Sequence, residues 1–291
     1  MMKILRVLFI SIMLLFLLSG CDDNDDKQPL SSSFWTDGYC QQTSVQHALP
    51  GMTEITFKQD GDWTTLPIVK LPDSFVGWDQ KSRIGFLDDI RQMMMNRGEG
   101  RGPDLAGPHN GIVATVGYKR DDSCFSLNNA VKGMGFLPKP EKIDELLALL
   151  DSTVDASMPE KLDILTGFYE NIEDNFDLDK QVSLELYSNP EFMTQSFLNQ
   201  VYNPVSTIVF LDIPSYKVKT VVRLLDPHDP ELNAYEQKVV TWINKIHSYF
   251  HGPFTVDFMG VIYYAVQVYD NSPMGQNPDT GMGRRIMPPL P

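Results

Sequence analysis

The sequence predicts an α+β fold: a mixed or antiparallel sheet with helices packed on one face, and a β-rich N-terminal part. Three observations carry this. A hairpin signature stands in the first third, two stretches repeat apolar residues at helical spacing, and residues 207–269 read strand–strand–helix–strand. Composition agrees, since 42% hydrophobic and 21% charged residues leave enough apolar surface for a core and exclude a disordered chain. A length of 291 residues suits one large or two modest domains.

Thr53–Phe57 and Trp63–Val69 flank Asp60-Gly61, a pair that type I′ turns favour, so residues 53–69 should form a hairpin. Leu87, Ile90 and Met94 predict a helix over 84–97, stopped by Gly98. Residues 97–111 hold five Gly and two Pro and read as a long loop, a class often used for binding. Arg97, Arg101, Asp104 and His109 in that loop are the candidate partner-binding residues. Its glycine spacing is neither G-x-G-x-x-G nor a Walker loop, which argues against phosphate binding.

A strand is expected at 112–118, and the β-rich part runs over 34–137. The α+β part, 138–270, opens with a helix behind Pro140 carrying Ile143, Leu146 and Leu150. Ser157 and Glu160 form a capping-box pair for the next helix, whose stripe continues through Leu165, Phe168, Ile172 and Phe176. Acids from Glu170 to Asp179 follow no calcium-loop pattern and read as solvated charge. A third helix is expected from Asn189-Pro190, then strands Thr207–Ile213 and Tyr216–Leu225. Asp229-Pro230 should open the clearest helix, with Leu232, Tyr235, Val239, Trp242, Ile246 and Tyr249 in a stripe and Gly252 at its end. A strand over Phe254–Tyr269, bulged at Gly260, closes the unit, and the Gly/Pro-rich tail 271–291 reads as disordered.

The first residues describe an export signal: basic Lys3 and Arg6, an apolar run Val7–Leu18, then small Ser19 and Gly20. Leu17-Leu18-Ser19-Gly20-Cys21 resembles the lipobox of bacterial lipoprotein precursors. That resemblance covers only the signal, residues 1–20, and the first mature residues. It implies cleavage before Cys21, a diacylglycerol on the Cys21 thiol and an acyl-anchored protein in the bilayer. Asp22 and Asp23 resemble the signal that retains lipoproteins in the inner membrane, on its periplasmic side, with the outer membrane as the alternative. Residues 21–33 then form an acidic tether.

The formal net charge is −14. This excludes a nucleic-acid-coating surface and favours steering of a basic envelope partner. With Cys21 lipidated, Cys40 and Cys124 remain, an even pair in an oxidising compartment, and a disulfide between them is expected. The rival reading is a periplasmic hydrolase with Cys40 as nucleophile, His109 as base and Asn128 or Asp122 orienting it. His247 and His251 share the last turn of a helix, but without a H-E-x-x-H pattern they read as dipole partners, not metal ligands. Neither a cofactor nor a catalytic set is expected. The leading expectation is an anchored protein that acts by binding another envelope protein.

Overall fold

The computed structural model of the chain describes residues 34–96, 106–273 and 281–289. The signal segment, Cys21, the tether and Arg97, Arg101 and Asp104 lie outside the described residues. Within them the fold is α+β, and no helix there is long and apolar enough to cross a membrane.

Two small hairpins come first. β1 (Trp35–Thr36) pairs with β2 (Tyr39–Cys40), and β3 (Glu54–Gln59) with β4 (Asp62–Pro67). Asp60 and Gly61 both have positive φ, 52° and 92°, as the expected two-residue turn requires. Helix α1 (Asp73–Met95) follows, then β5 (Asn110–Thr115), β6 (Asn128–Gly133) and β7 (Gly135–Pro138). Helices α2 (Ile143–Ser152), α3 (Met158–Glu170) and the one-turn α4 (Ile172–Asn175) lead into β8 (Phe176–Glu185). α5 (Gln195–Tyr202), β9 (Val205–Phe210), β10 (Tyr216–Leu225), α6 (Ala234–His251), β11 (Met259–Asp270) and β12 (Arg284–Met287) complete the order.

The main sheet is antiparallel, in the order β6-β5-β9-β10-β11-β8-β7, with β12 added to β11. β6 and β7 stand at opposite ends of that order, yet Met134 alone separates them in the chain. Laid flat, seven strands would put the ends about 29 Å apart. Two steps along the chain reach at most about 7.6 Å. The sheet must therefore curl until its edges meet at Met134.

Closure is incomplete. β7 pairs with β8 between Phe176 and Val182, while among the described residues β6 pairs with β5 alone. The edge of β6 and the Ser183–Glu185 end of β8 stay apart as a seam. Lys132 Nζ reaches across it to Glu185 Oε2 at 2.5 Å.

Helices seal the rest. Phe75 of α1 packs edge-on against Phe210 and Tyr216, with ring centroids 5.4 and 5.2 Å away. α6 lies over β7, β8 and β11. Trp242 Nε1 donates to the Phe136 carbonyl at 3.1 Å, and Gly260 lets the helix in, since a Cβ there would lie 3.1 Å from Ile243 Cδ1.

Several expectations need correction. α1 begins at Asp73, eleven residues before the expected start at 84, because its buried face carries Asp79 and Arg83 among Phe75, Val76, Leu87 and Ile90. Phe176 opens strand β8 instead of extending a helix, and the alternation Phe176-Asp177-Leu178-Asp179 is a strand pattern. α5 is capped by Thr194, not Asn189, and α6 by Asn233 with Glu236, not Asp229. The irregularity in β11 falls opposite Lys219/Thr220, so Gly260 serves close packing and not a bulge. Part of the tail is a strand: β12 covers the edge of β11 at Val268–Asp270, beyond the reach of β8. Strands from both sides of residue 138 share one sheet, so the β-rich and α+β parts form a single body.

Candidate functional site

The site lies where β6 turns into β7. Arg83, 5% exposed on α1, donates to the carbonyls of Pro108 at 3.2 Å and Met134 at 3.0 Å. Its Nε donates to Asp79 Oδ1 at 2.5 Å, and its guanidinium faces the rings of Phe136 and Tyr169. One side chain thus pins the loop before β5 and the turn joining the two ends of the sheet. Burial pushes the Asp79 carboxyl up against the pull of Arg83.

That loop presents His109, whose ring stacks on Phe86 with centroids 5.8 Å apart and whose carbonyl accepts from the Met134 N–H at 2.7 Å. The last turn of α6 brings His247 and His251 to the same place. His247 Nδ1 lies 2.8 Å from the Ile243 carbonyl, which can only accept. The neutral ring therefore carries its proton on Nδ1 and keeps a lone pair on Nε2. A Cβ on Gly133 would sit 3.7 Å from that Nε2 and 3.8 Å from His109 Nε2, so both imidazoles face the Gly133 backbone.

The three histidines line two hollows. One, of about 320 Å³, is walled by Phe86, Leu165, Ile246 and Phe250 and is mainly apolar. The other, of about 730 Å³, is the seam itself, between β6 and the end of β8, with Asn128, Gln195 and Ser196 at its floor. Its surroundings expose Val131 (68%), Tyr187 (68%) and Phe192 (50%), and Phe125 and Leu127 are exposed just before β6.

Burial, then Arg83, His247 and His251, hold the His109 pKa down to about 3, and burial also lowers that of His247. Both rings are neutral in the folded chain but protonate near pH 6.5 when unfolded. The unfolded state then binds more protons at every pH between about 3 and 6.5, so stability is full above 6.5 and falls on acidification through that window. At pH 5 the His109 contribution amounts to at most about 2 kcal/mol. Urea unfolding at pH 7 and pH 5 should show this loss, and His109→Gln should flatten it. An unchanged slope in the variant would refute the neutral-histidine reading.

Of the expected binding residues, His109 lines both hollows, while Arg97, Arg101 and Asp104 fall outside the described residues. His247 and His251 do occupy the helix end, but their place beside His109 had no trace in the local sequence. Arg83 and the seam were missed altogether; the i,i+4 spacing of Asp79 and Arg83 was the available signal.

The Cys40–Cys124 bridge is not formed: both thiols are free, Cys40 buried and Cys124 exposed on the loop before β6. Cys40 is held inward by its own N–H, which donates to Asp226 Oδ2 at 2.8 Å. Nor does the chain bring Cys40 to His109. Asp226 follows the last residue of β10, whereas Gly111, beside His109, pairs with Phe210 and through it aligns with Tyr216, the first residue of β10. Ten residues of strand separate them, about 30 Å. Burial, with Asp226 and Asp229 nearby, pushes the Cys40 thiol up to about 12, the reverse of what a nucleophile needs. Asn128 instead donates to Ser196, and Asp122 pairs with Arg120. Among the described residues no group of three metal-ligating side chains forms.

No known family model and no curated protein matches this chain.

Proposed function

We propose that this chain is a lipoprotein of the bacterial envelope, anchored by acyl chains on Cys21 at the periplasmic side of the inner membrane, and that it works by binding another envelope protein. The observation that carries the binding role is the seam with its exposed apolar surroundings: Val131, Tyr187 and Phe192 offer apolar surface at the mouth of an open cleft that also holds Asn128, Gln195 and Ser196. Contiguous apolar exposure framed by polar groups marks interaction sites. The net charge of −14 suits a basic partner and makes association salt-sensitive. The lipobox-like run ending at Cys21 supports the anchor.

Mass spectrometry of the membrane-extracted protein should find residue 21 acylated, and Cys21→Ala should release the chain from membranes. Crosslinked envelopes should yield one stoichiometric partner, lost as salt is raised. An unacylated residue 21 would overturn the anchor; a crosslinked fraction with no stoichiometric protein would overturn the binding role.

A further inference from the structure

The seam is bordered by the outer edge of β6, which no described strand pairs, and the geometry points to a recognition mode: an extended segment of a partner protein, alternating apolar and polar residues, adds as a strand to that edge. This deepens the binding role proposed above and rests on it.

The register fixes which groups are free. The Met134 N–H donates to the His109 carbonyl, so residues 134 and 109 form a hydrogen-bonded pair. In an antiparallel ladder such pairs recur at every second residue, which makes Lys132, Ala130 and Asn128 the residues bonded to β5. The N–H and C=O groups of Asn129, Val131 and Gly133 therefore face the seam. Opposite them, Ser183–Glu185 are laddered to β11, lie past the end of the β7 ladder at Val182 and are buried, so β6 carries the edge that a strand can reach. Free edges of this kind are templates for a further strand.

Side chains agree with an occupant that is recognised through its backbone. The two cations in the cleft lining are already partnered, Lys132 by Glu185 and Arg120 by Asp122, so no bare charge selects an ionic ligand. The Lys132–Glu185 bridge spans the gap and ties β6 to β8. Gln195, one of the residues lining the cleft, keeps a buried Oε1 without a hydrogen-bond partner. Val131, Tyr187 and Phe192 lie where alternate side chains of an added strand would rest.

The test is a selection from a random dodecapeptide phage library on the detergent-solubilised full chain, read by affinity and by amide hydrogen exchange. Selected peptides should show apolar alternation and protect the amides of Asn129, Val131 and Gly133. Val131→Pro removes one seam-facing N–H and spares the β5 ladder, so it should weaken those peptides about tenfold, the worth of one good backbone hydrogen bond. Should Val131→Pro unfold, protection of the three amides in the wild-type chain decides alone. No enrichment over a blank support, binding that leaves those amides unprotected, or protection that rises with protein concentration alone through pairing of two copies would overturn the proposal. If crosslinking finds a partner that Val131→Pro still binds at full strength, strand addition fails and the binding role stands. If peptides bind the edge but envelopes give no partner, the binding role fails instead.

Discussion

Replacing Glu236 by alanine is expected to destabilise the fold by about 3–5 kcal/mol, the cost of stranding a buried charge. Glu236 is fully buried on the first turn of α6. Its Oε1 accepts from Arg223 Nε and from the Ala48 N–H, both at 2.9 Å. Its Oε2 lies 2.7 Å from His47 Nδ1 and accepts from the Asn233 N–H, closing the capping box. One carboxylate thereby ties the N-terminal segment, β10 and the helix together. Without it the Arg223 guanidinium, 1% exposed, keeps the Gln42 carbonyl and loses its counter-charge. Typical domains are stable by about 5–15 kcal/mol, so the change should move the urea midpoint far while the slope with urea is kept. A shift worth under about 1 kcal/mol would refute the role of this carboxylate.

The same group gives an acid signature. Burial would raise the Glu236 pKa, but Arg223 and the hydrogen bonds outweigh it and leave the carboxyl below its ordinary value. Its stabilising contribution is present above the unfolded value near 4.3 and is lost as pH falls through the lower folded one. The gap between wild type and Glu236→Gln should accordingly narrow below about pH 4. The histidine window opens higher, near pH 6.5, so its onset comes before the carboxylate's, and the difference between wild type and Glu236→Gln isolates the latter.

What the sequence discloses is what neighbouring residues decide. Asp60-Gly61 sets its own turn, and the stripe from Val239 to Tyr249 sets the face of α6 before any tertiary contact forms. Phe176 shows the limit: it falls in step with the apolar face of α3, yet its pairing with Pro138 of β7 makes it a strand residue. The exposed β6 has no core face of its own to advertise, with Asn129 and Val131 in solvent, so its sequence reads as a loop. The curl of the sheet depends on pairings between residues far apart in the chain, such as Gly111 with Phe210 and Gly135 with Val182. The site inherits that difficulty, because His109 and His247 meet only after the circuit closes. The i,i+4 spacing of Asp79 and Arg83 shows that the two can pair on one helix face, but not that this charged face is the buried one.

That buried pair yields the second large effect. Arg83→Met should cost about 3–5 kcal/mol, for it leaves Asp79, with no exposed surface, facing no cation. Asp79 Oδ2 already lacks a partner, so the site has no reserve to satisfy the carboxylate once its Oδ1 contact goes. The double variant Asp79→Leu with Arg83→Met removes both charges and should recover most of that loss, as apolar replacement of buried ion pairs commonly does. It cannot restore the hydrogen bonds to the Pro108 and Met134 carbonyls, which hold His109 and the β6–β7 turn in place. Stability and site geometry should therefore separate in the double variant: a near-normal urea midpoint beside lost partner binding and faster amide exchange at Met134, whose N–H donates to the His109 carbonyl. If that variant binds as the wild type does, Arg83 serves only the core and the seam keeps its shape without it.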